Sequence, residues 1–467
     1  MVRSKLFARS AMGVALALGV ATGAMIAPVA AAAKDKAQDK AQAAPKLTPS
    51  KAFIPVYQAA AGALEKAAKN PDVATARTTV TNAENAYRSA QGKDARAQAK
   101  TQWDAAQAAL GTALTAEKAT IDQAFATAAT PDDKYLAGQL ALNMGNVAMD
   151  KLLQRRGLQS MVESGKLPAT ELAKFNFYIG GISFDMRDFA TARTALSAAM
   201  AAGYTENNVE SLLADAYIAD NQPLEGLKVL QAAVDAKGAA ASEEWLRHGI
   251  VVAYKAKALD YAGAFGSRLA AGYPTPENWA LAIAVQRDLG KYQLQDLIDL
   301  MRLMERTNSF SEERDFVEYI QAADPRRLPG EVLKVINEGV TAGKLKAADP
   351  FVADAKTNAT GRIAADKASF AGLERDARAA AATAATGMAA GDTFLSYDMP
   401  AKAVEMYQIT LTKPGVDAPR VLTRLGIAQA DAGQYADAQA TFAKVDGVRK
   451  PIAELWSAYA KAKAAGK

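Results

Sequence analysis

Paired acidic residues have the most direct catalytic potential in this sequence, because glycoside hydrolysis needs only two carboxyl groups. The chain holds two such pairs, each preceded by a serine: Ser242-Glu243-Glu244 and Ser311-Glu312-Glu313. Serine is a favoured helix N-cap, and acids are favoured in the first turn of a helix. Both patterns therefore predict helix starts rather than a catalytic pair.

Metal and nucleophile chemistry lack the residues they need. The chain has no cysteine and one histidine, His248. A zinc site would need carboxylates almost alone, and a Ser-His-Asp triad would depend on the same histidine. The sequence contains no Gly-x-Ser-x-Gly elbow and no Gly-x-x-x-x-Gly-Lys loop. We predict that His248 is a core or half-buried residue, that the protein is not an enzyme and that it needs no cofactor or metal. A weaker catalytic hypothesis rests on the carboxylates of 303–383.

The N-terminus reads as a secretory signal peptide. Arg3, Lys5 and Arg9 precede an apolar stretch over 11–26, and small residues fill 29–33. The alternative is a retained anchor, but the apolar stretch is shorter than the ~20 residues that span a bilayer. We expect cleavage near Ala33 and no stable membrane span in the mature protein.

The excess positive charge lies at the N-terminus. The net charge of the chain is +5, of which residues 1–33 carry three charges and residues 34–50 a further two. The remainder is neutral, which argues against nucleic acid as a partner. Residues 34–50 have almost no large apolar side chains and are predicted to be disordered.

Helical spacing of apolar residues begins at Phe53 and continues to the C-terminus, with no strand signals. Residues 71–128 predict two or three long helices that start at the Asn70 cap before Pro71. A second helical block opens at Pro131, with acids in its first turn.

A spacing of 34 or 35 residues organises the rest. It relates Gly180 to Ala214, Leu196 to Leu230, Trp245 to Trp279, Gly391 to Gly426, Ala403 to Ala438 and Tyr407 to Phe442. Gly249 and Phe265 fall where a small and a large residue belong, and an Ala-Ala-Gly-Tyr segment occurs at 201–204 and again at 270–273. Helix pairs of this length bury their apolar faces only by stacking on their neighbours. The fold class predicted is therefore all-α, an α-solenoid.

These features predict six regions. They are a signal peptide over 1–33, a disordered linker over 34–50, N-terminal long helices over 51–130, a repeat array over 131–310, an irregular helical connector over 311–383, and C-terminal repeats with a capping helix over 384–467.

The repeats resemble the tetratricopeptide repeat, in which a small residue in the first helix faces a small and an aromatic residue in the second. Residues 419–451 match best, with Leu425, Gly426, Gly433, Ala438 and Phe442. The whole is similar to exported repeat proteins of Gram-negative bacteria, which implies a periplasmic location. Many of the family's large positions hold alanine here, as at Ala282 and Ala390.

The resemblance implies a scaffold that binds a protein or peptide partner in a groove built from first helices. The inward-facing positions carried over from the family are Lys174, Phe177, Tyr178, Asp215, Arg247, Tyr254, Arg287, Asp288, Arg420, Thr423 and Arg424. The alternative is that these charges pair with neighbouring helices.

Arg420 and Arg424 lie four residues apart on one helix face and can fork onto a carboxylate. The family's peptide-carboxylate clamp, a Lys/Asn/Arg set across adjacent repeats, is not present. The second functional hypothesis is a glycan- or cell-envelope-associated accessory protein.

Overall fold

The computed structural model describes residues 47–466. The predicted signal peptide and residues 34–46 of the predicted linker lie outside this range. Residues 47–466 hold twenty-two α-helices and no β-strand, which confirms the all-α prediction. The helices form two compact units, one ending at Asp220 and one beginning at Asn221. That boundary falls inside the 131–310 region that the sequence presents as one array.

Unit 1 contains nine helices. They are α1 (Phe53–Lys69), α2 (Pro71–Ser89), α3 (Lys93–Ala113), α4 (Thr115–Thr127), α5 (Pro131–Val147), α6 (Lys151–Glu163), α7 (Ala169–Asp185), α8 (Phe189–Ala201) and α9 (Val209–Ala219). The predicted cap of α2 is present, because Asn70 accepts a hydrogen bond from the Asp72 N–H at 2.8 Å. The region predicted as two or three long helices holds three, and Phe53, Val80, Leu110 and Ile121 share one buried core.

The last residues of the predicted disordered linker are held in place. The Thr48 N–H donates to Asp132 at 2.8 Å, and the Ser50 N–H donates to Asp133 at 2.8 Å. Burial opposes the charge of Asp133, but hydrogen bonds from Ser50 and Thr130 keep the pKa of this carboxyl below its usual value. The prediction of disorder is therefore wrong for residues 47–50, because backbone groups of this short segment complete the start of α5.

Unit 2 contains thirteen helices. They are α10 (Pro223–Lys237), α11 (Glu243–Lys255), α12 (Leu259–Gly272), α13 (Pro276–Gly290), α14 (Leu294–Arg306), α15 (Glu313–Ala323), α16 (Pro329–Thr341), α17 (Pro350–Arg378), α18 (Ala384–Ser396), α19 (Pro400–Leu411), α20 (Ala418–Asp431), α21 (Tyr435–Phe442) and α22 (Lys450–Ala464). The predicted irregular connector thus consists of the α15–α16 pair and one 29-residue helix, α17. No helix among residues 47–466 is long and apolar enough to cross a membrane.

Close helix contacts confirm the predicted repeat register. In four helix pairs a glycine of the first helix faces a large side chain of the second, sixteen residues later. A Cβ built on each glycine would lie 2.4–2.7 Å from that side chain. The four pairs are Gly180 with Leu196, Gly249 with Phe265, Gly391 with Tyr407, and Gly426 with Phe442. Any larger residue at these glycines would push the two helices apart.

The turns inside the helix pairs repeat as well. Seven of these turns have a residue with a positive φ just after the first helix, which ends that helix and reverses the chain. These residues are Met149, Arg187, Lys257, Lys291, Asp324, Asp398 and Gly433. A positive φ therefore recurs where the side-chain pattern has faded, as at Asp324.

The C-terminal helices of unit 2 pack on its earlier helices. Helix α22 lies against α12 and α13, and α20 lies against α14. The Trp456 indole N–H donates to the backbone oxygen of Asp299 at 2.7 Å. The predicted capping helix therefore does more than cover the last repeat, since it also buries a face of the α12–α14 segment.

The two Ser-Glu-Glu segments both lie at the start of a helix, but only the first serine is an N-cap. Ser242 caps α11, since its hydroxyl accepts from the Trp245 N–H at 3.3 Å. Ser311 does not cap α15. Its N–H and hydroxyl instead donate to Asp315, at 2.9 and 3.1 Å, because the carboxylate of Asp315 reaches back to the helix start. His248 is half-buried on α11.

Candidate partner-binding surface

Helix α7 carries three of the predicted groove residues, and they have different environments. Phe177 is only 3% exposed. Its ring stacks on that of Tyr204, with centroids 4.7 Å apart and planes 20° apart. Tyr204 comes from the segment between α8 and α9 and covers Phe177. The assignment of Phe177 to an open groove is therefore wrong, and this ring belongs to the core.

Tyr178 follows Phe177 and is half-buried, as is Tyr135 on α5. Both rings pack with one side against the core cluster of α5–α8. Burial raises the pKa of Tyr178, and the nearby carboxylates of Glu171 and Glu206 raise it further. Burial and Glu171 likewise raise the pKa of Tyr135. The two tyrosines therefore share one acidic neighbourhood.

We call the set Tyr135, Tyr178, Glu171 and Glu206 the tyrosine face. Tyr204 braces it, because its ring supports Phe177 and its hydroxyl accepts a hydrogen bond from the Asn207 amide. Partly exposed tyrosine rings offer rigid contact area and a hydroxyl that can donate or accept a hydrogen bond. The face can therefore hold an extended chain or a planar ring of a ligand.

The other two predicted groove residues of unit 1 lie on α7 and α9. Lys174 is half-buried on α7. Burial raises the pKa of the Tyr204 hydroxyl, and the positive charge of Lys174 opposes this increase. Asp215 is half-buried on α9.

In unit 2 the predicted groove charges of α11 and α13 bind neighbouring side chains. Arg247 donates to Glu243 at 2.9 Å. Tyr254 is 43% exposed and its hydroxyl lies 3.4 Å from Asp288. Arg287 donates to Asp315 of α15 at 2.9 Å, and its side chain is 13% exposed. The alternative in which such charges pair with neighbouring helices is therefore confirmed for Arg287, whereas Arg247 pairs with Glu243 within α11 itself.

Arg424 is fully buried, which corrects its assignment to an open groove. Its guanidinium donates to Asp392 at 2.5 Å and to the backbone oxygen of Gln295 at 3.1 Å. Gln295 belongs to α14, which packs against α20 and covers the inward face of that helix. Arg424 therefore cannot fork with Arg420 onto a partner. Thr423 is also buried, with its hydroxyl bound to the Pro419 oxygen.

Asp299 lies at the centre of this buried ion cluster. One of its oxygens is 2.9 Å from Arg302 and 3.4 Å from Arg424, and the other is 2.7 Å from Arg449. Burial alone would raise the pKa of Asp299, but Arg424, Arg449 and Arg302 lower it to about 2. This carboxylate links helices that are far apart in the sequence.

The low pKa of Asp299 predicts acid sensitivity. The pKa is lower in the folded state than the usual 3.8, so the charged carboxylate stabilises the fold above about pH 4. This contribution, about 2 kcal/mol, is lost as the pH falls through the folded pKa. We expect the free energy of unfolding, measured with urea, to decrease from pH 5 toward pH 2. A free energy that stays constant over that range would contradict the assignment.

Glu331, a buried carboxylate of the 303–383 region, is engaged in structural contacts. Glu331 accepts two hydrogen bonds from Arg302, at 2.6 and 2.9 Å, and one from the Tyr319 hydroxyl at 2.6 Å. It is 6% exposed. Within residues 47–466, no group of three His, Cys, Asp or Glu side chains is placed to hold a metal ion.

Sequence reasoning missed Tyr135 and Tyr204. The signal for Tyr204 was present, because the Ala-Ala-Gly-Tyr segment recurs at Tyr273, whose hydroxyl donates to the Ala241 oxygen at 2.9 Å. Tyr204 and Tyr273 each follow the end of a helix and contact residues earlier in the chain. No repeat signal marked Tyr135.

Comparisons with known proteins add a weak structural likeness. No protein-family model and no curated protein matches the chain. Among solved structures, the chain is similar to "Structure of Naa15/Naa10 bound to HypK-THB", at 12% sequence identity, over 86% of this chain and 70% of that one, with a TM-score of 0.30. The helix pairs themselves define the class: an all-α protein with tetratricopeptide-like repeats of the α-solenoid type.

Proposed function

We propose that this protein is a non-enzymatic scaffold that binds a protein or peptide partner on the tyrosine face of unit 1. The observation that carries the proposal is the pair of half-buried rings, Tyr135 and Tyr178, beside Glu171 and Glu206. Aromatic anchors of this kind dominate the binding energy of many protein interfaces. The signal-peptide pattern supports action in the periplasm of a Gram-negative bacterium, and the neutral charge after residue 50 supports partners other than nucleic acid.

Tyr178→Ala is expected to weaken partner binding about tenfold or more, because it removes a central aromatic contact. Tyr261→Ala is the matched control, since Tyr261 is a half-buried tyrosine of α12 in unit 2 outside the face. A partner would first be identified by crosslinked pull-down of the mature protein from its own periplasm. Affinities of the purified variants for that partner then decide. Equal affinities for wild type and Tyr178→Ala would remove the tyrosine face from the proposal.

A second candidate function is that of a cell-envelope accessory protein that holds a glycan. One observation favours it: tyrosine rings with an exposed side can stack on sugar rings, and Tyr178 and Tyr254 both have such a side. Co-sedimentation with isolated cell wall separates the two functions. Sedimentation that Tyr178→Ala abolishes, with no protein captured, would favour the glycan.

A further inference from the structure

A cavity of about 260 Å³ opens where three helices of unit 2 end. Helix α14 ends at Arg306, α18 at Ser396 and α20 at Asp431. The cavity is lined by Arg306, Leu395, Asp398, Pro400 and Asp431. Pockets for drug-sized ligands hold about 300–1,000 Å³, so this cavity suits one side chain or a ligand of similar size.

Ion pairs at the cavity leave an excess of negative charge. Arg306 binds Asp431 at 2.9 Å and also binds Glu305. Lys334 of α16 lies 3.1 Å from Glu305 and 3.5 Å from Asp398. Three carboxylates therefore share two cations, which gives a net charge of −1.

Two further features add negative potential at the cavity. Glu338 lies one turn after Lys334 on α16, and burial and the charge of Asp398 raise the pKa of its carboxyl. The C-terminal ends of α14, α18 and α20 carry partial negative charge. Only α19 begins here, at Pro400, so one positive helix start opposes three negative helix ends.

The charges next to the cavity are balanced and do not offset this excess. Lys402 of α19 binds Glu374 of α17 at 2.8 Å. Arg420 is half-buried and donates to the side-chain oxygen of Gln295 at 3.0 Å. It belongs with the buried ion cluster, which holds four arginines and four carboxylates. They are Arg302, Arg420, Arg424, Arg449, Asp296, Asp299, Glu331 and Asp392.

Asp398 is the carboxylate of the cavity that a ligand can reach. Its side chain is 67% exposed, whereas that of Asp431 is 14% exposed. One oxygen of Asp398 lies 3.5 Å from the Lys334 ammonium, and within residues 47–466 the other oxygen accepts no hydrogen bond. Leu395 and Pro400 give the same cavity an apolar wall. Such a wall suits the methylene stem of a basic group, which packs on apolar surface while its charged end stays at a polar one.

We propose that this cavity, here called the Asp398 cavity, binds an aliphatic cation, with its ammonium or guanidinium group at Asp398 and its methylene stem on Leu395 and Pro400. A basic side chain of a polypeptide and a free amine both carry this chemistry. A metal ion is a poorer match, because within residues 47–466 no group of three His, Cys, Asp or Glu side chains is placed to hold one. The cavity is in unit 2, so the proposal does not depend on the tyrosine face.

The test compares Nα-acetyl-lysine amide with Nα-acetyl-norleucine amide, which lacks the charge, by isothermal titration calorimetry on the full mature protein. Wild type should bind the lysine probe about tenfold tighter or more, because the cavity attracts a positive charge. Asp398→Asn should lose that preference. This variant should fold, since asparagine tolerates the left-handed backbone of Asp398, with its φ of 53°. No preference in wild type, or an unchanged preference in Asp398→Asn, would overturn the proposal.

Two further variants sharpen the test. Asp235→Asn is the matched control, since Asp235 is also an exposed aspartate of unit 2 in an ion pair, with Arg268. It should keep the wild-type preference, and its loss there would indicate unspecific attraction and overturn the site. Lys334→Met removes the cation that competes for Asp398, so the lysine probe should bind tighter than to wild type. Equal or weaker binding by folded Lys334→Met would contradict a charge held at Asp398.

Two more probes separate the sources of the cation. They are n-butylammonium chloride and the peptide acetyl-Ala-Lys-Ala-amide, both measured on wild type and on Asp398→Asn. Tighter binding of the peptide than of n-butylammonium would indicate a basic side chain of a polypeptide, and equal binding would indicate a free amine. Binding of neither probe would overturn the cation site.

Discussion

Asp299→Ala is expected to destabilise the protein by about 3–5 kcal/mol, because it leaves buried positive charges without their shared counterion. Asp299 has no exposed surface, and it contacts Arg302, Arg424 and Arg449. The loss should be seen as a lower urea midpoint at pH 7. Since these arginines come from three separate segments, the effect should reach the whole of unit 2.

Asp235→Ala is the matched control for this variant. Asp235 also pairs with an arginine of unit 2, Arg268, but both side chains are more than 40% exposed. Exposed ion pairs contribute about 0–1 kcal/mol, so this variant should unfold close to wild type. If Asp299→Ala and Asp235→Ala gave the same midpoint, the buried cluster would not be the link between the C-terminal helices and α14.

Phe442→Ala is the second substitution with a large expected effect, a loss of about 3–5 kcal/mol. The Phe442 ring is 3% exposed, fills the space over Gly426 and stacks on Trp456 at 6.4 Å between centroids. Its removal leaves a cavity that the tightly spaced helices α20 and α21 can close only by moving. Thermal unfolding and limited proteolysis of the C-terminal helices should both report the loss.

Phe351→Ala serves as the comparison, because Phe351 lies at the start of α17 and is 37% exposed. A ring with this exposure contributes less transfer free energy and leaves no closed cavity. Unchanged thermal unfolding and unchanged proteolysis in Phe442→Ala would mean that the register of the last repeat is wrong.

The repeat architecture was predictable because it depends on local spacing. A glycine sixteen residues before a large side chain sets the contact between two neighbouring helices, as in Gly426 with Phe442. The pairing of such helices needs information only from adjacent stretches of chain. Asn70 and Ser242 were predictable for the same reason, since a cap acts within one turn.

The environment of the arginines was not predictable, because it depends on contacts between distant segments. Arg424 is buried by Gln295, which lies 129 residues earlier, and Arg449 binds Asp299, which lies 150 residues earlier. The repeat pattern places both arginines on first helices or turns but does not reveal that α14 covers them. The repeat period identifies helices that are consecutive in the sequence. It does not show which helices that are distant in the sequence pack against each other.

Of the four residues of the tyrosine face, only Tyr178 was predicted from the sequence. The position of Tyr178 on a first helix followed from the family pattern, whereas the burial of Phe177 required Tyr204 to fold back from the next turn. Tyr135 precedes the stretch in which the period is measurable. Its proximity to Glu171 is a tertiary fact that the spacing does not contain.

The most direct test of the scaffold proposal is site-specific photocrosslinking in the native periplasm. A benzoylphenylalanine would replace Tyr178 in one strain and Leu152 in another, since Leu152 is a 61% exposed residue of unit 1 on α6. We predict one or two defined protein adducts from position 178 and none of these from position 152. The absence of protein adducts at 178, or the same adducts from both positions, would contradict partner binding on the tyrosine face.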